Sequence, residues 1–473
     1  MIFFSASLLS SIFLLLLLCS SDTPANCKKD DVLGKWKLEI GKFTSETNVH
    51  CSKIDKVKTE DTMEIYLAEP NLVTDPSNKA IGTWTMIYVE GFELSIGKYR
   101  YFTLFNWTSS EDNTETFDCH NTVQGWVRPD IRNISEIACF TATKMPRNES
   151  DPASHHYYKN DYKDFDSLRR RTKKSYETSN SMTIDWSDKN GHNYVSYFID
   201  EGNCKSSYAI AAAGMIESRI SIGSNDSLDY SLSVQELISC NDYSQECKGG
   251  HAIEIGMYVM DHGLVDQKCL PYYSLNQTDA KCSDRCKYPR ATVFVKSYSY
   301  VGGFYGRCSV SHMEEALEKG PIVARIDDTV PSFLDYKSGV YKMKDDEKVG
   351  RLTRSVLVVG YGQDEKEGPY WKIKNSKGTK WGEGGFARIY KGNNTLGIET
   401  AAEQMVPDND AYLNNKNIVN NPYFWAMIGV SCFCVALIVG VIILLIAISR
   451  TRKSVKAANA INEQYSSFQP RYS

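Results

Sequence analysis

The chain has little net charge. Its 54 Lys and Arg nearly balance 58 Asp and Glu, for a formal −4 over 473 residues. That leaves no electrostatic footprint for nucleic acid or for an acidic substrate. No internal repeat is evident, which excludes a solenoid or array, and no metal ligand set is assigned. Two stretches lack charge altogether. The first, Ile2 to Leu18, is apolar and is followed by the small residues Cys19, Ser20 and Ser21, so removal of residues 1–21 as a signal peptide before Asp22 is expected. It also lacks a basic n-region, and an uncleaved anchor is the alternative. The second, Tyr423 to Ile448, is long enough at about 1.5 Å per residue to cross a bilayer as a helix. Tyr423 and Trp425 stand at one end, and Arg450, Arg452, Lys453 and Lys456 follow the other. Positive charge stays cytoplasmic, so the N-terminal bulk is expected to be lumenal or extracellular, as in a type I membrane protein.

What is present fits that topology. The length suffices for two or three domains with full cores. Of 14 cysteines, Cys19, Cys432 and Cys434 fall in the two apolar stretches; eleven remain, compatible with five bridges and one odd thiol. Six acceptor sequons for N-glycosylation lie on the same side, at Asn106, Asn133, Asn148, Asn225, Asn276 and Asn393.

Residues 22–143 read as β structure. Ile81–Glu90 and Phe92–Tyr101 mix β-branched and aromatic residues around a turn at Glu90-Gly91, as in an antiparallel barrel or sandwich. Residues 144–181 turn polar and include the run Arg169-Arg170-Arg171-Thr172-Lys173-Lys174, either a processing site or a solvated cluster in a linker. Residues 182–407 mix an Ala-rich buried helix at Tyr208–Ile222, a capping-box signature at Ser233/Glu236, and strands at Val356–Gly360 and Tyr370–Ile373. Residues 408–422 suit a stalk, 423–448 the span and 449–473 a cytoplasmic tail.

Several motifs recur in one order: Asp185-Trp186, Cys204-Lys205-Ser206-Ser207-Tyr208, Ser239-Cys240, Cys247-Lys248-Gly249-Gly250, Val359-Gly360-Tyr361-Gly362, Lys374-Asn375-Ser376 and Trp381-Gly382-Glu383-Gly384-Gly385. This order resembles the papain family. Asp22-Thr23-Pro24-Ala25-Asn26-Cys27, Ala138-Cys139-Phe140-Thr141 and Val301-Gly302-Gly303-Phe304-Tyr305-Gly306 resemble its cathepsin C group, whose exclusion domain makes it a dipeptidyl peptidase. The implied fold is α+β: a papain-like domain preceded by an antiparallel β exclusion-like domain, with one transmembrane helix added. The resemblance implies bridges Cys27–Cys119, Cys51–Cys139, Cys204–Cys247, Cys240–Cys282 and Cys269–Cys286, with Cys308 the odd thiol.

The resemblance also locates the chemistry. A cysteine protease needs a thiolate, a histidine that keeps it ionised, and donors at the oxyanion. The nucleophile position is Ser207, and Cys204 matches the structural cysteine. The base position is Arg354, a guanidinium that cannot accept a proton. The oxyanion Gln position is Glu201, which only accepts hydrogen bonds when ionised. Asn375 is kept, but Lys377 replaces its shielding Trp and Lys205 replaces the motif's Gly. Losing a triad nucleophile or base costs on the order of 10⁶ in rate, and an oxyanion donor about 10²–10³. Either Glu201 and Arg354 pair across the cleft, or they are two separately solvated charges. The reading is therefore an inactive pseudoprotease. The alternatives are an active dipeptidyl peptidase, for which His192 is the nearest histidine in sequence, and a structural surface glycoprotein.

Binding is what such a scaffold would retain. The resemblance gives Gly249 and Gly250 as the backbone edge for an extended peptide, and Asp22 as the carboxylate holding its free amino terminus. Tyr300 matches a chloride-site residue, so chloride is carried as an option; no other cofactor is required. Partners expected are the membrane, a peptide or protease ligand, and further copies or relatives of the chain. Tyr465-Ser466-Ser467-Phe468 resembles a Tyr-x-x-apolar sorting signal, so Tyr465 and Phe468 would direct the chain to endosomes, lysosomes or the cell surface.

Overall fold

A computed structural model describes residues 25–46, 49–54, 56–109, 115–130, 136–146, 183–224, 231–273, 281–284, 286, 292–408, 437–457 and 459. The chain divides at Asn409 into two units.

In the first unit, nine strands follow one another: β1 (Gly34–Ile40), β2 (Asp61–Ala68), β3 (Leu72–Thr74), β4 (Ala80–Ile87), β5 (Gly91–Ile96), β6 (Tyr99–Ser109), β7 (Glu115–Thr122), β8 (Gly125–Pro129) and β9 (Ala138–Lys144). They pair antiparallel in the order β1-β2-β3-β4-β5-β6-β7-β9-β8. β1 also pairs with β9, Ile40 opposite Phe140, so the sheet closes into a barrel and has no open edge there. The period-2 pattern explains the closure: Trp36, Leu38 and Ile40 face inward while Lys37 and Glu39 stay partly exposed. The inward residues join Ile65, Leu67, Phe92, Leu94 and Phe140 in one core. Cys27–Cys119 and Cys51–Cys139 cross this domain.

The papain-like domain sets helix α1 (Ser207–Ser224) against a mixed sheet. α1 is buried nearly all round, as its Ala-rich sequence suggests. Six antiparallel-paired strands carry the sheet, β10 (Val295–Tyr300), β11 (Ile322–Ile326), β12 (Arg354–Asp364), β13 (Gly368–Lys374), β14 (Phe386–Tyr390) and β15 (Ala402–Pro407), in the order β10-β15-β11-β12-β13-β14. Helix α3 (Ala252–His262) lies on β10 at Gly256, where a Cβ would sit 2.5 Å from that of Tyr298. The bridges here are Cys204–Cys247, Cys240–Cys282 and Cys269–Cys286, and Cys308 is free.

One expectation changes. At helix α2 (Val234–Ser239), Ser233 Oγ accepts the Glu236 N–H at 3.0 Å, but Glu236 does not close the capping box. Its buried carboxylate instead accepts from Tyr258 Oη and the Val265 N–H, because Ser233 N is already bonded to Val265 O. In the second unit, residues 437–457 are helical and exposed. Among the described residues no helix is long and apolar enough to cross a membrane, since the apolar run covered by this helix ends at Ile448, before Arg450. Residues 423–436 of the expected span lie outside the described residues, as do the signal peptide and most of the linker and the stalk.

Candidate functional site

Ser207 opens α1, just after the Cys204–Cys247 bridge ties the preceding loop to the glycine-rich segment. Its side chain is buried, and its Oγ accepts the Ser355 N–H at 3.2 Å. Ser355 is the second residue of β12. The pairing of β12 with β11 puts Arg354 opposite Ile326, two residues ahead of Asp328.

Arg354 is the centre of the site. Its Nε donates to Asp328 Oδ2 at 2.5 Å, and its Nη1 donates to Ser376 Oγ at 3.0 Å and to Glu201 Oε1. The Arg354 side chain is 14% exposed. The Glu201–Arg354 pair is therefore formed rather than separately solvated, and Asp328 is a third member that the sequence reading missed. Asp328 also receives the Thr353 hydroxyl at 2.7 Å and lies 3.3 Å from Lys377 Nζ. Burial works against its charge, but Arg354 and then Lys377 hold its carboxyl down at about 2. Glu201 goes the other way: burial pushes it above the usual carboxylate range despite Arg354, and Asp328 adds repulsion. Arg354 itself is kept protonated by the two carboxylates against its burial.

Asn375 is also buried. Its Oδ1 accepts the Ser376 N–H at 2.8 Å, while its Nδ2 finds no acceptor among the described residues. An orphan amide donor of this kind costs about 1–3 kcal/mol. No histidine among the described residues bonds Ser207. His192 instead packs on Tyr194, 4.3 Å between ring centroids. The Cys308 thiol is pushed up to about 12 by burial and is no substitute nucleophile.

The peptide edge is partly engaged. Gly249 O accepts the Gln245 N–H at 3.0 Å, and Gly250 O accepts from Arg325 Nη1 at 3.3 Å. Gly250 must stay a glycine, because a Cβ would meet the Tyr208 ring and Ser244 at 2.8 Å. Tyr300 Oη accepts the Tyr88 N–H at 3.4 Å inside a cluster with Tyr88 and Tyr305. Burial first, and then the buried Glu403 carboxylate, raise the Tyr300 hydroxyl well above its usual pKa. Asn106 and Asn393 are exposed. Asp22, Asn133, Asn148, Asn225, Asn276, Tyr465 and Phe468 lie outside the described residues.

Comparison with known proteins agrees with this architecture. Residues 180–406 match the papain family cysteine protease profile, and residues 22–144 match the cathepsin C exclusion domain. The fold and its two matched domains define a papain-family protein. Within that family it is cathepsin C-like, with an N-terminal exclusion domain. The chain is 28% identical to cathepsin C of Schistosoma mansoni, over 82% of this chain and 95% of the relative. It is 33% identical to cathepsin L of Sarcophaga peregrina, over 46% of this chain and 62% of the relative. Procathepsin L2 of Tenebrio molitor matches with a TM-score of 0.43 and 29% identity, over 50% of this chain and 72% of that one.

Proposed function

We propose that this chain is an inactive cathepsin C-like protein, anchored by residues 423–448 in an endosomal, lysosomal or surface membrane. It acts there by binding peptide amino termini or an active relative. One observation carries the loss of activity: Arg354 occupies the base position with its guanidinium held by Glu201, Asp328 and Ser376. A proton-accepting group is needed to activate a hydroxyl nucleophile, and this one is permanently charged and already spent on acceptors. Ser207 Oγ accepts a backbone N–H and has no base beside it among the described residues. Chloride is kept in this reading as an optional ligand at Tyr300, and no other cofactor is required.

The test uses the purified full chain with a fluorogenic dipeptide substrate and a thiol-reactive papain-family probe. Silence in both is expected, with probe labelling gained in the combined Ser207→Cys, Arg354→His, Glu201→Gln variant. Dipeptide release by the unaltered chain, abolished by Ser207→Ala, would overturn the proposal.

A further inference from the structure

The helix of the second unit runs unbroken over residues 437–457, and its apolar run ends at Ile448. Beyond it stand Arg450, Arg452, Lys453 and Lys456, all exposed. No Asp or Glu lies between Asp410 and Glu463, so nothing in the local sequence neutralises these cations. Among the described residues none of the four enters an ion pair. Helical spacing sets them on one side. Arg450 and Lys453, then Lys453 and Lys456, are three positions apart, and Arg452 and Lys456 four. At about 100° per residue the four fill an arc of about 160°. Like charges at this spacing weaken an isolated helix, so the stripe gains from an anionic surface laid against it. Ile448 and Val455, seven positions apart, line a shallow surface hollow with Thr451, Arg452 and Lys456. The apolar face of the helix therefore continues past the first cation. The hydroxyls of Thr451 and Ser454 do not interrupt it: they donate back to Ala447 O at 2.6 Å and Arg450 O at 3.1 Å.

We infer that this stripe docks on anionic phospholipid headgroups of the membrane that the chain spans. The inference rests on the membrane-anchor reading above, in which residues 423–448 cross the bilayer. Distance along the axis selects the partner. At about 1.5 Å per residue, Arg450 lies about 3 Å beyond Ile448, and Lys456 about 12 Å. The headgroup layer is about 5–7 Å deep on each side, and the surface potential reaches a Debye length of about 8–10 Å beyond it. All four cations fall within that reach, where each adds to the attraction for anionic lipid. A soluble anion would leave Ile448 and Val455 in water. A bilayer surface covers them, with the lysine and arginine stems lying along the apolar boundary and their charges at the phosphates.

The experiment is electron paramagnetic resonance on the full chain reconstituted in phosphatidylcholine vesicles. The probe is spin-labelled phosphatidylserine or spin-labelled phosphatidylcholine, and the motionally restricted fraction of each reports its relative affinity for the protein. At low ionic strength phosphatidylserine is expected to be favoured about fivefold. In about 1 M salt, where the Debye length shrinks to about 3 Å, the preference should nearly vanish. Arg452→Gln combined with Lys456→Gln removes half the stripe and keeps Arg450 and Lys453 beside the span, so insertion survives; the preference is expected to fall to about twofold. Equal restriction of the two probes, in a chain that resists extraction by alkaline carbonate, overturns the inference and leaves the anchor standing. Extraction of the chain by carbonate overturns both. A preference undiminished in the double variant or in high salt overturns the assignment to this stripe. A preference abolished by millimolar inorganic phosphate at constant ionic strength overturns the choice of a lipid as the source of the anion.

Discussion

The Arg354 guanidinium carries one positive charge and faces two carboxylates. Sharing it unequally is the lower-energy arrangement: Asp328, with Lys377 and Thr353 also bonded to it, stays anionic, while Glu201 moves toward neutrality. This sets a pH signature. The folded Asp328 titrates near 2 against an ordinary 3.8, so its stabilisation is complete above about pH 4 and is lost as pH falls toward 2. Asp328→Asn is expected to destabilise the protein by about 2–3 kcal/mol at pH 7, since it leaves Arg354 undercompensated. Urea denaturation at pH 7, 4 and 2.5 checks this: the gap between parent and variant should narrow with acid, and a constant gap would sink the electrostatic assignment. Sequence reading reached Glu201 and Arg354 because each stands at a motif position. Asp328 carries no motif. It joins the site only through the β11–β12 pairing, a contact that spacing along the chain does not reveal.

At the scale of elements, the barrel and the papain-like domain meet through buried charge. Arg128 of β8 lies 2.8 Å from Asp261 of α3, with side chains 1% and 0% exposed. Arg128 Nη2 also donates to Tyr298 Oη of β10 at 2.9 Å, and Tyr243 Oη donates to Asp261 Oδ2 at 2.8 Å. Tyr298 in turn donates to Glu93 of β5. Removing one partner of such a pair costs about 3–5 kcal/mol, because the other charge stays buried alone. Arg128→Ala should show that loss at pH 7.5. It should show less at pH 5, because burial, opposed by Arg128, already raises Asp261 to about 6 and protonation then relieves the charge. Guanidinium chloride melts at the two pH values decide it. The strands and the five bridges were legible because alternation, turn residues and motif order are local or carried by the resemblance, whereas barrel and sandwich were separated only by the pairing of β1 with β9. The junction was not: Arg128 and Asp261 are 133 positions apart, and each alone reads as an ordinary surface charge.

For the whole molecule, three buried carboxyls point one way. Asp261 is raised to about 6, and Glu217 and Glu403 to about 7, burial being the leading cause in each. A carboxyl raised on folding binds its proton more tightly in the folded chain, so its stabilisation is complete below about pH 4 and is lost as pH rises through 6–7. Lys374 is lowered to about 8 by burial, against Glu217, and adds stability only as pH climbs beyond that value. Between pH 5 and 7.5 the carboxyls decide, so the thermal midpoint of the full chain should be higher at pH 5. A higher midpoint at pH 7.5 would contradict it.

The half-buried Cys308 has a use of its own. With ten cysteines of the described residues tied in five bridges, its thiol is shielded and slow to ionise while the domain is closed. Each opening of the β-sheet region around it exposes one sulfur to an alkylating reagent, so the labelling rate at that residue is a native-state clock. The clock reads how often the papain-like domain breathes, with no reporter to install, and a bound ligand that steadies the domain will slow it.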